Sequence, residues 1–116
     1  MTFYLKRHDT SPALLRYLRT DAGPLDLAGA SVVFNMARRV AAGTAAAEVV
    51  AEVVVSRRPA VVVEAGAGLV RYDWRPEDTA RAGAYWAEFE VTYADGTVET
   101  VPNADMIDIR IREDIA

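Results

Sequence analysis

Residues 83–102 read GAYWAEFEVTYADGTVETVP, an alternating ribbon that sets the terms for the rest of the chain. Tyr85, Ala87, Phe89, Val91 and Tyr93 fall on one side of a period-2 strand, and Trp86, Glu88, Glu90 and Thr92 fall on the other. One face is built for burial. Asp95-Gly96 is expected to supply the positive φ angles of a two-residue type I′ turn. TVETV then returns antiparallel as far as Pro102, which can donate no ladder hydrogen bond.

The same alternation recurs outward from this hairpin. In MIDIRIR, Ile107, Ile109 and Ile111 share a face opposite Asp108, Arg110 and Arg112. GLVRYDW places Val70, Tyr72 and Trp74 together, and SVVFNMA offers Val32, Phe34 and Met36 after the breaker-rich loop DAGPLDLAGA. TFYLKR and LLRYLRT are shorter strand candidates near the start. Between them and the hairpin, AAGTAAAEVVAEVVV mixes helix-favouring Ala and Glu with strand-favouring Val pairs, so propensity alone leaves residues 37–59 open. Closely spaced β-branched residues favour a strand over 49–56, a turn at 57–59 and another strand over 60–64. About eight short strands divided by turn signals, with at most one helical turn, point to an all-β antiparallel sandwich.

Composition bounds the function. A chain of 116 residues is expected to form one domain over 1–116 and to hold a core without staples; it has no cysteine, so it offers no disulfide or thiolate metal site. Seventeen acidic against 13 basic residues leave a formal net charge of −4, which argues against nucleic acid as a partner. No stretch approaches the roughly 20 apolar residues needed to cross a bilayer, and the first residues lack an export signal. The expectation is a soluble protein with no membrane partner.

Catalytic and cofactor chemistry finds no candidate. His8 is the single histidine, which excludes a multi-histidine metal site, and it reads as a lone surface histidine with no triad role. Asp73, Glu77 and Asp78 lack the order of a calcium loop and read as solvated loop carboxylates. The Gly-x-Gly in GAGLVR leads into a strand, where a dinucleotide fingerprint would open a helix. No enzyme activity, metal or cofactor is therefore expected. Trp74, Trp86, Tyr4 and Tyr17 could form a stacking platform for sugars, although Trp74 also belongs to the inward series. Trp86 stands among Glu88, Glu90 and Thr92 and is read either as a contact surface or as lying under a covering loop. Val61, Val62 and Val63 show apolar groups on both faces, so at least one face needs a cover from a neighbouring sheet or another chain. On an edge, that strand could pair with a partner's strand. The candidate protein contacts are thus Val61, Val62, Val63 and Trp86.

Two resemblances add a setting. Tyr85 follows the loop PEDTARAG and precedes Ala87 by two residues, which resembles the tyrosine corner of immunoglobulin-like sandwiches; there the hydroxyl bonds back to the loop backbone. Lys6, Asp9 and Thr10, then Pro24, Asp26, Leu27, Gly29 and Ala30, then Tyr72, Trp74, Asp78 and Thr79, follow in an ordered series. It closes with Gly83, Tyr85, Phe89, Asp95, Gly96 and Pro102. In order and spacing this resembles the immunoglobulin-like β-sandwich domain of tailed-bacteriophage virion proteins, found in upper baseplate proteins and in collar proteins that anchor tail fibres. The resemblance covers nearly the whole chain except 37–59. It implies an immunoglobulin-like sandwich of about seven to eight strands and a structural role, docking tail, collar, baseplate or fibre components. It further implies a homo-oligomer in a symmetric assembly within a virion made in the bacterial host cytoplasm. Baseplate relatives continue into long helices, and the chain ends at Ala116. That suits a collar or fibre-attachment part, with a capsid decoration protein or a carbohydrate-binding module for a host surface glycan as the alternatives.

Overall fold

The computed structural model describes residues 2–41, 49–102 and 106–115, and it contains every strand expected from alternation. Among the described residues the chain is all-β. The strands are β1 (Thr2–Lys6), β2 (Leu14–Tyr17), β3 (Arg19–Thr20), β4 (Gly23–Pro24), β5 (Ser31–Ala41), β6 (Val49–Pro59), β7 (Val61–Glu64), β8 (Leu69–Tyr72), β9 (Gly83–Thr92), β10 (Val98–Val101) and β11 (Ile107–Arg112). Two 3₁₀ turns, Ala65–Ala67 and Pro76–Thr79, flank β8.

The strands form three sheets. The larger runs β1-β11-β9-β5-β6, with β10 also paired to β9; the smaller runs β2-β8-β7; β3 and β4 make a two-stranded ribbon. β11 lies along 83–87 of β9 and β10 along 89–92, so the two share one side of β9 while β5 takes the other. The expectation of seven to eight antiparallel strands is corrected on both counts: there are eleven in the described residues, and β1 pairs with β11 in parallel. Alternation fixes which side chains share a face but carries no information on which strand a neighbour will be, or in which direction it runs.

One core joins the two main sheets. Phe34, Tyr85, Phe89, Val91 and Ile109 from the larger sheet meet Leu14, Val70 and Tyr72 from the smaller, all buried. Phe34 is the keystone, stacked on Tyr72 at 4.1 Å between ring centroids and packed on Phe89 at 5.2 Å and Trp74 at 5.7 Å. Centroid separations of this size add aromatic attraction to the area these rings remove from water. The alternating series all hold: the inward residues of β9 and β11 are buried, and so are Val32, Phe34 and Met36.

Two turns differ from expectation. The residues 57–59 belong to β6, where Pro59 pairs with Val33. Two register shifts against β5 give β6 extra residues there, Arg57 adopts φ 51°, and its N–H donates to Asn35 Oδ1 at 2.7 Å. The bulges rotate the valine run so that Val55 is buried while Val53 is 68 % exposed, which is how three consecutive valines fit a strand with one inner face. Only Ala60 then separates β6 in the larger sheet from β7 in the smaller, so the chain changes sheets without a loop. At the hairpin tip, Gly96 N–H donates to the Tyr93 carbonyl at 2.9 Å and Tyr93 N–H to Thr97 at 2.9 Å. With Gly96 at φ 87° and no positive φ at Asp95, this is a type I turn closed by a glycine bulge, in place of the two-residue type I′. Asp95 keeps an ordinary backbone because its carboxylate accepts from the Thr97 amide (2.9 Å) and hydroxyl (2.6 Å).

Gly68 shows the tightest backbone approach. At φ 70°, a Cβ there would sit 2.6 Å from the Leu18 carbonyl oxygen, and Leu18 N–H donates to the Gly68 carbonyl at 2.8 Å. Gly68, the second glycine of GAGLVR, is therefore a packing device that docks the start of β8 against residues 18–25, while Gly66 has open space around it.

Candidate functional site

The smaller sheet turns one face to the core and leaves the other in solvent. Leu15, Arg71 and Val61 stand in register across β2, β8 and β7, and Tyr17 pairs with Leu69 in the next row. A register shift in β7 places both Val63 and Glu64 opposite Leu69. Leu15, Tyr17, Val61 and Val63 are 55, 61, 42 and 46 % exposed, and Arg71 among them is held by Asp73 at 2.9 Å. This is an apolar sheet face of the kind that soluble proteins keep for contacts. Of the three valines singled out in the sequence, Val61 and Val63 lie on it, while Val62 is half-buried and packs on the core. β7 is also an edge of its sheet, and its bulge at Val63 interrupts the regular ladder that a partner strand would extend. Tyr17 was read from the sequence only as a stacking aromatic, and neither it nor Leu15 was read as a neighbour of β7. LLRY shows alternation only over four residues, and nothing local says that its outward side will lie beside that of β7.

Trp86 lies on the outer face of the larger sheet, half-buried. The Arg39 guanidinium sits over its ring at 4.6 Å from the centroid. Arg112 covers Tyr4 in the same way at 4.8 Å. Trp74 is buried, so the four expected aromatics do not combine into one open stacking platform: Trp74 is in the core, Trp86 and Tyr4 have an arginine on the ring, and Tyr17 lies exposed on the smaller sheet. The surroundings of Trp86 come from β5, β6, β9, Met106 and β11, whose Asp108 is its cross-strand partner, and β7 is not among them. The structure thus keeps the two sets of candidate contact residues on separate surfaces.

Asp78 departs most from its sequence reading. Asp73 and Glu77 are solvated as expected, but Asp78 is 1 % exposed. It accepts from the Tyr72 hydroxyl (2.5 Å), the Arg75 amide (2.9 Å), and Arg75 Nε (3.1 Å) and Nη2 (2.7 Å). Next to it, the Thr79 hydroxyl donates to the Asp9 carbonyl at 3.0 Å and His8 N–H donates to the Thr79 carbonyl at 3.0 Å, tying the 3₁₀ turn to the loop after β1. Six residues after Thr79, the Tyr85 hydroxyl donates to the Arg81 carbonyl, four residues back, at 2.5 Å, the backbone tie that a tyrosine corner requires. These bonds position β8 and β9; none of them opens to a cleft. Among the described residues no group of three or more His, Cys, Asp or Glu is arranged to hold a metal ion, and no helix is long and apolar enough to cross a membrane.

Tyr72 makes this network sensitive to alkali. Burial is the first cause that pushes its phenol above its ordinary value, followed by the hydrogen bond to Asp78 and that residue's charge, with Arg75 acting the other way. Tyr93 is pushed up to about 12, again by burial first and then by Glu99. A raised folded-state value means that the native state holds the proton more tightly than the unfolded chain. The stabilisation is therefore complete below the unfolded phenol value of about 10 and is lost as pH climbs beyond it. Melting temperature is expected to be flat from about pH 8 to 9.5 and to fall above about 10. Tyr72→Phe should melt lower at neutral pH yet show a shallower alkaline fall. Thermal melts of both proteins across this range check it, and identical alkaline slopes would contradict the assignment to Tyr72.

No protein-family model and no curated protein matches the chain.

Proposed function

We propose that this chain is an immunoglobulin-like adaptor of a tailed-phage particle, a non-enzymatic part that docks neighbouring tail, collar, baseplate or fibre components. The observation that carries the docking role is the solvent-facing side of the smaller sheet, where Leu15, Tyr17, Val61 and Val63 gather around the Arg71–Asp73 pair. Exposed apolar side chains on one flat face gain most when another polypeptide covers them. The phage setting is supported by the ordered residue series from Lys6 to Pro102. The immunoglobulin-like reading is supported by the strand orders β1-β11-β9-β5-β6 and β2-β8-β7 and by the Tyr85 corner at the start of β9. Repetition around a symmetry axis requires two distinct patches per subunit, and the smaller-sheet face and the Trp86 surface supply a pair on different sheets.

Mass spectrometry of purified particles, fractionated into heads and tails, tests the proposal. The chain is expected in the tail fraction at a copy number set by the tail's rotational symmetry. The double substitution Val61→Asp, Val63→Asp should abolish its incorporation while the isolated protein still folds. Recovery with heads would favour a decoration role. Absence from particles, with retention on a host polysaccharide that Trp86→Ala abolishes, would replace the adaptor reading with glycan recognition.

A further inference from the structure

Trp86, Ala37 and Val53 form one row across β9, β5 and β6, all on the outer face of the larger sheet. The middle residue is small, and the row dips there. The result is a hollow of about 270 Å³ whose walls include Trp86, Val53, Ala51 and Met106, with Asn35 and Glu88 on one side. The bulges in β6 shape it, because they carry Val55 to the core and leave Val53 standing outward beside the gap. The volume lies below the roughly 300–1,000 Å³ of cofactor and metabolite pockets and suits a single large side chain. Sugar stacking is disfavoured, since the Trp86 ring already carries the Arg39 guanidinium.

Charge on the rim narrows the occupant further. Glu90, the next outward position along β9, is met by Arg57 Nη1 at 2.6 Å. The Glu88 side chain is half-buried and makes no ion pair or hydrogen bond among the described residues. A partly desolvated carboxylate without a partner is a site that an incoming cation satisfies through charge-assisted hydrogen bonds.

We propose that this hollow is a docking pocket for one large apolar side chain, Leu, Met or Phe, carried by a partner polypeptide with a lysine or arginine close by to meet Glu88. The inference takes from the adaptor reading only that the occupant is a polypeptide; it does not depend on the phage setting.

The test uses the whole chain and an array of synthetic peptides in a Gly/Ser frame. One position runs through Leu, Met, Phe and Ala, and a second, one to three residues away, runs through Lys, Arg, Gln and Glu. Peptides combining a large apolar residue with Lys or Arg should bind at least about tenfold more tightly than their Ala or Glu counterparts. Ala37→Leu, which fills the hollow, should remove that binding. Val53→Asp, at a position 68 % exposed, provides a second loss-of-binding variant that leaves the core untouched. Glu88→Arg should shift the preference to peptides carrying Glu. Thermal melts establish that each variant is folded. Retention of no peptide above the bare frame would overturn the proposal, as would equal binding by folded Ala37→Leu, or a charge preference unmoved by Glu88→Arg. The Val61→Asp, Val63→Asp protein should bind the peptides normally, so failure here and failure of particle docking are read separately.

Discussion

Replacing Asp78 with alanine is expected to cost about 3 kcal/mol of stability, the lower end of the range for breaking a buried ion pair, because the Arg75 side chain is itself 32 % exposed and regains water. The carboxylate accepts from the Tyr72 hydroxyl and from three nitrogens of Arg75. Its removal leaves a buried phenol without an acceptor at the end of β8 and frees the 3₁₀ turn that leads into β9. For a domain of this size the loss corresponds to a fall in melting temperature on the order of 12 °C. Asp78→Asn keeps the volume and one acceptor oxygen and should lose roughly half as much. Thermal and urea melts of the two variants decide it. A loss below about 1 kcal/mol for Asp78→Ala would show that solvent already satisfies these partners.

Phe34→Ala should cost more, about 3–5 kcal/mol, because it removes a fully buried ring from the junction between the sheets. The stacked Tyr72, the edge-on Trp74 and the tilted Phe89 all lose a neighbour at once. Since the surrounding rings belong to different sheets, the cavity can close only if the layers move together. Phe34→Leu retains most of the volume and should stay near 1.5 kcal/mol. Guanidinium unfolding curves give both values directly. Tyr72 touches both Phe34 and Asp78, so Phe34→Ala with Asp78→Ala should fall short of additivity. Strict additivity would mean that the ring stack and the buried carboxylate act independently, contrary to the packing described here.

The inner faces of this protein were legible because each depended on spacing alone. Tyr85, Ala87, Phe89 and Val91, the isoleucines of β11, and Val70, Tyr72 and Trp74 all took the side that period-2 alternation assigned to them. The Tyr85 bond to the Arg81 carbonyl was legible too, since it spans four residues of one corner. Asp78 was misread for the opposite reason. It lies in a loop whose composition is that of solvated turns, and its burial depends on Tyr72, which is fixed in place by a ring from another sheet. The bulges of β6 were equally hidden, because a run of valines looks the same whether its ladder is regular or carries extra residues.

Local periodicity, acting through steric alternation along each strand, was enough for the amino-acid sequence to determine an all-β chain and the inward series of β5, β8, β9 and β11. Which strands became neighbours, the parallel meeting of β1 with β11, the gathering of Leu15 and Tyr17 beside Val61 and Val63, and the hollow over Ala37 were decided only in the tertiary structure. Those features join residues far apart along the chain. Their free energy comes from burial between layers, which no short stretch of sequence contains.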